Sequence, residues 1–452
     1  MRIKLQPFVL STAVALWTVG PGAADEIKAP YRMAEDQAVV SWLGQHLSAN
    51  VELYKQLHAN PELSHQEQKT AALVAARLKA AGYQVTAEVG GTGVVGVLAN
   101  GDGPTVLIRG DMDALPIAED TGLPYASRVR VKRDDGTMVG VMHACGHDVH
   151  VVNLTATAEV LAHLRDRWRG TVVIVAQPAE ELGQGAKAMM ADGLFERFPR
   201  PDVCIALHVT HNLPAGQVGL APGWAFANVD SVDITVFGRG GHGARPHEAV
   251  DPVLTAAYLI TNLQTLVSRR LDPVDSGVVT VGSIHGGSKH NIIPDDVRLQ
   301  LTVRSYGDRS RALLLDGIRQ IAIDTCRTHG CPREPEVVVR DEFTPASYND
   351  PDLTAAATAL FGRLFGSDNV VQQAPEMGGE DFGRFARHLK VPGLQFRIGA
   401  TDPELYAATQ RPDGPDLPSV HSPKFAPPPE STLRVGIRST ANLALSLLDV
   451  AE

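Results

Sequence analysis

The sequence has no excess of positive charge. Its 41 lysine and arginine residues are outnumbered by 51 aspartate and glutamate residues, so the formal net charge is −10. Proteins that bind nucleic acid or anionic membranes usually present clustered positive charge to the phosphates. We therefore expect neither nucleic acid nor an anionic membrane as a partner, and we interpret the acidity as an ordinary soluble surface.

Long apolar stretches are also absent, except near the N-terminus. There Arg2 and Lys4 precede an apolar run over residues 8–19, and small residues up to Ala24 lead into an acidic pair. This order is typical of a secretory signal peptide, and the apolar run is too short to span a bilayer. We predict a signal peptide over residues 1–24 and an exported protein, periplasmic in a Gram-negative host or otherwise secreted, with no membrane attachment after cleavage.

Cysteine is scarce, because the chain contains only Cys145, Cys204, Cys326 and Cys331. An exported protein permits disulfides, and Cys326 and Cys331 are close enough along the chain to form one. Their spacing does not decide whether they do. The chain is long and 44% hydrophobic, which is sufficient for a large buried core and more than one domain.

Internal repeats and long low-complexity tracts are absent too, so the apolar pattern is the guide to the fold. Three nearly uniform apolar runs are typical of parallel strands that are buried on both faces: residues 105–109, 171–176 and 203–207. Helical patterns lie around them at residues 36–58, 66–81, 149–164, 185–192, 352–365 and 432–448. The alternation predicts an α/β fold with a mostly parallel sheet.

The pattern changes between residues 229 and 344. Predicted strands at 230–237, 278–284, 297–303 and 336–339 alternate with predicted helices at 252–267 and 310–328. This order, β-α-β-β-α-β, is the ferredoxin-like arrangement. We predict that residues 229–344 form a domain inserted into a main domain made of residues 30–228 and 345–450.

Side chains that can bind metal follow the three apolar runs. Asp111 and Asp113 come after the first, Glu180 and Glu181 after the second, and His208 after the third. Cys145 and His147 begin the helix that lies between the first two runs. The carboxyl ends of parallel strands share one edge of the sheet, so these side chains are expected to meet there.

This set of side chains indicates a metal centre that performs hydrolysis. Thiolate, imidazole and carboxylate together suit zinc or a similar divalent ion. Of the adjacent Glu180 and Glu181, one can bind the metal while the other takes a proton from a metal-activated water. The residues leave another mechanism open, in which Cys145 is a nucleophile beside His147. A protein that binds metal or ligand without catalysis is a further alternative.

Seven ordered motifs resemble the M20 metallopeptidase family, and specifically its amidohydrolase branch of hippurate hydrolase and IAA-amino acid hydrolase. They are RGDMDALPIAED, MHACGHDVH, QPAEELGQGAKAMM, GRGGHGARPHEAVDP, HNIIPDDVRLQLTVR, MGGEDF and VHSPKF, and the similarity extends from about residue 45 to 447. The resemblance implies metal-dependent hydrolysis of the amide bond of N-acyl amino acids or related small amides. It leaves open a carboxypeptidase or dipeptidase acting on short peptides, because both reactions use the same residues.

The resemblance also implies the roles of individual residues. Two divalent ions per subunit, zinc or manganese first and cobalt or nickel as alternatives, would be held by Cys145, His147, Glu181, His208 and His421. Glu180 would be the general acid and base, and Asp113 would orient a metal ligand. Asp111 stands where other branches of the family have a metal-binding histidine.

The inserted domain is implied to be a lid and a dimerisation domain. In that case His242 reaches across a homodimer to stabilise the oxyanion of the reaction. Asn291 and Arg304 match lid residues that hold the substrate, and the cationic Arg304 suits a carboxylate. The glycines beside His242 permit a tight backbone path there.

Overall fold

The computed structural model describes residues 33–133 and 135–451. The predicted signal peptide, residues 1–24, lies outside the described residues. Strands and helices are numbered in chain order. Among the described residues, no helix has both the length and the apolar character required to cross a membrane.

A nine-stranded sheet forms the centre of the fold. Its strands are β1 (Gln84–Val89), β2 (Gly93–Asn100), β3 (Thr105–Asp111), β6 (Trp168–Gln177), β7 (Val203–Pro214), β8 (Val218–Leu220), β17 (Val370–Gln372), β18 (Gly393–Thr401) and β19 (Asp449–Val450). The strand order is β1-β2-β6-β3-β7-β18-β8-β17, and β19 pairs with β6. The four central strands β6, β3, β7 and β18 are parallel, while antiparallel pairs flank them. The mostly parallel core is therefore confirmed within a mixed sheet.

Helices cover both faces of this sheet, which explains why its central strands are uniformly apolar. The helices outside the inserted segment are α1 (Met33–Ala59), α2 (Gln68–Ala80), α3 (His147–His163), α4 (Gly185–Ala191), α5 (Leu194–Arg197), α8 (Pro351–Phe365), α9 (Gly383–Leu389), α10 (Pro403–Thr409) and α11 (Pro429–Leu447). Helices α1, α2, α3, α8 and α11 pack in one hydrophobic cluster, and α4, α5 and α9 pack in another. Helix α3 is almost entirely buried, as expected of a helix that lies between other helices and a sheet.

A second sheet lies in the inserted segment, residues 229–344. It is antiparallel, in the order β12-β14-β10-β15, and it has its own hydrophobic core. Its elements are β10 (Asn228–Phe237), α6 (Pro252–Thr265), β12 (Gly277–His285), β14 (Asp296–Ser305), α7 (Asp308–Thr328) and β15 (Glu336–Val339). The predicted β-α-β-β-α-β order is confirmed. The domain boundaries and the role of a lid stay predictions.

Shorter elements complete the described chain. Two-stranded ribbons are formed by β4 (Arg130–Lys132) with β5 (Met138–Gly140), β9 (Gly223–Phe226) with β16 (Ser347–Asn349), and β11 (Gly241–His242) with β13 (Ile292–Ile293). Short helical turns lie at Pro246–Glu248, Leu266–Arg270 and Ser367–Asn369. The four cysteines, including Cys326 and Cys331, are free thiols in this structure.

The start of α3 is held by a buried charged triad. His58 of α1 lies 2.7 Å from the Asp148 carboxylate and 3.1 Å from the Glu119 carboxylate, and its side chain is fully buried. Burial by itself lowers the pKa of His58, but hydrogen bonds to Asp148 and Glu119 raise it to about 10. The triad thus joins α1 to the residue that follows His147.

Replacing His58 by leucine is expected to lower the free energy of unfolding by about 3–5 kcal/mol, because two buried carboxylates lose their partner. The pKa of His58 rises from 6.5 to about 10 on folding, so its contribution is complete below pH 6.5 and is lost as the pH rises toward 10. Urea denaturation of both proteins at pH 6 and at pH 9.5 measures this. The difference should shrink at the higher pH.

The exposed His163, at the end of the same helix α3, provides the control, since His163→Leu should change stability little at either pH. If the His58→Leu deficit were equally large at both pH values, the charge of His58 would not be its cause.

Candidate metal centre

A cavity of about 540 Å³ opens at the carboxyl ends of β6 and β7. Residues from the inserted segment form part of its wall. The two ends of that segment lie side by side at the cavity, where the backbones of Val229 and Thr344 are hydrogen-bonded to each other. Six of the predicted site residues line it: Cys145, Glu180, Glu181, His208 and His421 beside the sheet, and Arg304 of the inserted segment. The sheet edge predicted from the strand ends is therefore the place where these side chains meet.

His147 begins α3, directly after a tight turn at Gly146. Gly146 has φ 75°, and a Cβ atom there would lie 2.6 Å from a methyl group of Val209, so this position requires glycine. The His147 Nδ1 donates to the carbonyl of Asp113 at 2.8 Å. Its Nε2 is buried and has no hydrogen-bond partner among the described residues. A metal-binding histidine usually donates a hydrogen bond from one ring nitrogen to the protein and binds the metal with the other.

Cys145 and His208 lie beside His147. The Cys145 Sγ is 3.7 Å from the His208 Nε2, and the His208 Nδ1 donates to the carbonyl of Val209 at 2.6 Å. Burial lowers the pKa of His208, which keeps its imidazole neutral. The Nε2 of His208 therefore faces the Cys145 thiol, and a ligand atom of His208 lies within 4.8 Å of one of His147.

Glu181 and His421 complete the group. The His421 Nε2 is 3.5 Å from one Glu181 carboxylate oxygen, and the other oxygen is buried without a hydrogen-bond partner among the described residues. His421 has φ 66°, and its backbone N–H donates to the carbonyl of Ala144 at 2.8 Å. A non-glycine residue in this conformation is strained, and such strain often marks a functional position. The hydrogen bond fastens the C-terminal loop next to Cys145.

The residues present fit a divalent metal ion. Ligand atoms of Cys145, His147 and Glu181 all lie within 4.8 Å of one another. A buried polar atom without a partner costs about 1–3 kcal/mol, so the orphan His147 nitrogen and Glu181 oxygen point to a bound cation. Burial, and then the charge of Glu181, raises the pKa of Cys145, so metal binding must displace its proton.

Glu180 is held next to these residues without belonging to their group. The backbone N–H groups of Glu180 and Glu181 donate to the Asp113 carboxylate at 3.1 and 3.0 Å. Ser64 donates to the same carboxylate at 2.6 Å. Asp113 therefore orients both glutamates and also His147. Burial, followed by the charges of Glu380 and Glu181, raises the pKa of Glu180, as a general base near neutral pH requires.

A buried ionic network under the site was missed by sequence reasoning. Arg109 forms ion pairs with Asp111, with Glu380 at 3.0 Å and with Asp381 at 3.2 Å, and all four side chains are buried. In the sequence, the only indication of this network is Arg109 itself, a single arginine inside an otherwise apolar strand. Glu380 and Asp381 belong to the MGGEDF motif, to which we assigned no role.

His150 is a second residue that we did not predict. Its Nδ1 donates to Asp111 at 2.5 Å, and its Nε2 accepts from the backbone N–H of Val209 at 2.9 Å. Ligand atoms of Asp111, His147, His150 and His208 lie close enough to hold a metal ion. Because both nitrogens of His150 are already engaged, we assign it to the support of Asp111 and not to the ligands.

The predicted lid residues fall into two groups. Arg304 lines the cavity, lies opposite Val229 in the sheet and forms no ion pair among the described residues. His242 lies in β11 and Asn291 directly precedes β13; both are exposed, and neither lines the cavity of its own chain. The His242 Nδ1 accepts from the backbone N–H of Ala244 at 3.0 Å. The roles of His242 and Asn291 stay predictions, and they require a second subunit.

A parallel-sheet domain with this ligand set and a free buried carboxylate beside it defines a metal-dependent hydrolase. Residues 107–427 match the description Peptidase family M20/M25/M40, and the chain belongs to this family. The predicted family is thus confirmed, and the protein is an enzyme that acts on amide bonds.

Individual relatives agree with this assignment. The chain is 40% identical to the hippurate hydrolase of Campylobacter jejuni over 341 residues, which cover 74% of this chain and 84% of the relative. It is 34% identical to thermostable carboxypeptidase 2 of Saccharolobus solfataricus over 399 residues, which cover 87% of this chain and 94% of the relative. The crystal structure of a dinuclear metal-binding peptidase of family M20 from Bacillus subtilis is 28% identical, with a TM-score of 0.73, over 90% of this chain and 99% of that chain.

Proposed function

We propose that this protein hydrolyses the amide bond of N-acyl amino acids with two divalent metal ions, zinc or manganese. The ions would be held by Cys145, His147, Glu181, His208 and His421. Bound there, they supply a Lewis acid for the carbonyl and lower the pKa of water toward ~7. The observation that carries the proposal is that four of these side chains line one cavity and His147 lies within 4.8 Å of Cys145 and Glu181, with the carboxylate of Glu180 beside them.

Glu180 moves the proton. Its carboxylate accepts a proton from the attacking water and later donates it to the nitrogen of the leaving amine. The hydrogen bonds from the backbone of Glu180 and Glu181 to Asp113 keep the carboxylate in place for both transfers.

Arg304 is proposed to bind the carboxylate of the amino acid. The side chain lines the cavity and forms no ion pair within the described parts of the chain, so it can pair with a carboxylate of the substrate. Its Nε donates to the Thr302 hydroxyl at 3.2 Å, which orients the guanidinium. A charge-assisted pair of this kind fixes the orientation of the amide bond.

A carboxypeptidase is the second candidate, because two relatives carry that name. A panel of N-acetyl and N-benzoyl amino acids, compared with dipeptides and longer peptides of the same C-terminal residue, separates the two. We expect higher kcat/KM on the N-acyl amino acids. Higher values on peptides would assign the protein to the carboxypeptidases, and no hydrolysis of either group would contradict the proposed function.

A homodimer is proposed to complete the site. Helix α6 exposes the apolar side chains of Val253, Leu254 and Tyr258, and β12 is an edge strand of the inserted sheet. Exposed apolar surface and an open strand edge are features that subunit interfaces cover. His242, which does not reach its own cavity, would then stabilise the oxyanion in the cavity of the partner.

Mixing two inactive variants tests this arrangement. Glu180→Gln and His242→Ala should each have little activity as pure dimers. In a mixed dimer one cavity has both an intact Glu180 and an intact partner histidine, so random exchange should restore about a quarter of wild-type activity. Activity assays after joint refolding measure this. If the mixture stayed as inactive as its components, His242 would act within its own chain or not at all.

Export is proposed from the sequence alone. The basic start, apolar run and small residues before position 25 support secretion to the periplasm or medium. Cell fractionation with N-terminal sequencing of the mature protein checks this, with a new N-terminus after Ala24 as the expected result.

A further inference from the structure

Arg397 is a charged residue in the wall of the same cavity for which the reaction has no use. It lies in β18, whose nine residues are all buried, and only 5% of its surface is exposed. In the parallel pairing of β18 with β7, Arg397 lies opposite His208. The guanidinium is therefore one strand away from a residue of the candidate metal centre.

The contacts of Arg397 leave part of its hydrogen-bonding capacity free. Its Nη1 donates to Gln373 at 3.1 Å and to Glu376 at 2.8 Å. Its guanidinium carbon lies 4.7 Å above the ring of Phe226. Its Nη2 is buried and has no hydrogen-bond partner among the described residues. The side chain of Glu376 is 42% exposed, so the one ion-pair partner that the buried charge has among the described residues lies close to solvent.

Arg397 and Arg304 lie in one corner of the cavity. A Cβ atom on Gly379 would be 3.6 Å from Nη1 of Arg304, and one on Gly378 would be 3.6 Å from the Phe226 ring that lies under Arg397. Both arginines line the cavity together with this pair of glycines. Arg304 can bind one carboxylate of a substrate. Burying the second guanidinium with incomplete pairing costs free energy, which a second substrate anion would offset.

We propose that Arg397 is a second anion subsite and that the enzyme prefers N-acyl derivatives of acidic amino acids. The α-carboxylate then pairs with Arg304 and the side-chain carboxylate with Arg397. This inference rests on the proposed function, because it names the substrate class of the same site. Glu376 competes with the substrate for Arg397 and tunes its affinity.

N-acetylglutamate and N-acetylglutamine test the proposal, since they differ in side-chain charge and hardly in size. The wild-type enzyme should favour N-acetylglutamate in kcat/KM by about tenfold or more. Arg397→Gln should bring the ratio of the two values close to one. Arg434→Gln, an exposed arginine on α11, is the matched control and should keep the wild-type ratio.

Glu376→Gln is expected to change the ratio of the two kcat/KM values in the opposite direction. Removing the competing carboxylate should raise the ratio above the wild-type value, mainly through a lower KM for N-acetylglutamate. If Arg397 only anchored the loop that carries Gln373 and Glu376, both variants would lower the two kcat/KM values in parallel and leave the ratio unchanged, and the proposal would be overturned.

Other outcomes are also decisive. A wild-type enzyme that hydrolyses both compounds equally well overturns the subsite but not the proposed function. Hydrolysis of no N-acyl amino acid at all contradicts the proposed function itself. If Arg397→Gln does not fold, as judged by its thermal melt, the Glu376→Gln ratio decides alone, because it must rise.

Discussion

Glu180→Gln is expected to lower kcat about 10³-fold while the protein keeps its full metal content, because glutamine retains the shape of the side chain but accepts no proton. The carboxylate lies outside the group formed by Cys145, His147 and Glu181, and its Oε2 is 3.8 Å from the His147 Nε2. Its backbone anchor on Asp113 does not depend on the side chain. Steady-state kinetics together with metal analysis of the purified variant measures both quantities.

Two matched variants make this result specific. Glu181→Gln, the same change one residue later, should lower the metal content as well as kcat, because it removes a ligand oxygen. Glu342→Gln changes an exposed carboxylate at the rim of the same cavity and should stay close to wild type. If Glu180→Gln kept wild-type turnover, the role of general acid and base would belong to another group.

The strand-end rule predicted the part of the site that lies on regular elements. Asp111, Glu181 and His208 follow apolar runs that the structure shows in the parallel strands β3, β6 and β7, although β7 continues past His208 to Pro214. Their positions follow from the local pattern because a buried parallel strand needs only apolar residues and a defined end. Helix α3 likewise starts where the Cys145 and His147 motif predicted it.

The remaining predicted ligand, His421, shows where residue patterns are insufficient. His421 lies in a loop without periodicity, and its place depends on a positive φ and on one hydrogen bond to the carbonyl of Ala144. Neither feature has a local sequence signal. Only the resemblance to M20 enzymes predicted His421, since a family motif records a tertiary contact that composition and spacing do not contain.

Strand β18 was missed for a related reason. It contains Gln395 and Arg397 among apolar residues, and a mixed pattern of this kind does not indicate a strand that is buried on both faces. In the structure these polar groups are satisfied only in part, because Gln395 Nε2 donates to Glu380 and Arg397 Nη1 donates to Glu376, while Gln395 Oε1 and Arg397 Nη2 have no hydrogen-bond partner among the described residues. Buried polar residues in a strand therefore depend on tertiary contacts, and here they lie next to the cavity.

Removal of the metal ions is expected to abolish activity completely and reversibly. Dialysis against a chelator should bring hydrolysis to background, and added zinc or manganese should restore it, since the ions would both polarise the amide carbonyl and activate the water. The chelated protein should also melt at a lower temperature, because a ligand bound only by the folded state stabilises it. Metal analysis of the purified enzyme gives the number of ions per subunit. The ion that restores the highest kcat/KM when added at that ratio identifies the native metal.

The same experiment separates the metal mechanism from nucleophilic attack by Cys145. A cysteine nucleophile needs a thiolate, but burial and the charge of Glu181 raise the pKa of Cys145, so without a cation the thiol stays protonated. Cys145→Ala should therefore lower the metal content, whereas Cys204→Ala, which removes a buried thiol from β7, should leave it unchanged. Activity that survived complete metal removal and ended on alkylation of Cys145 would establish the cysteine mechanism instead.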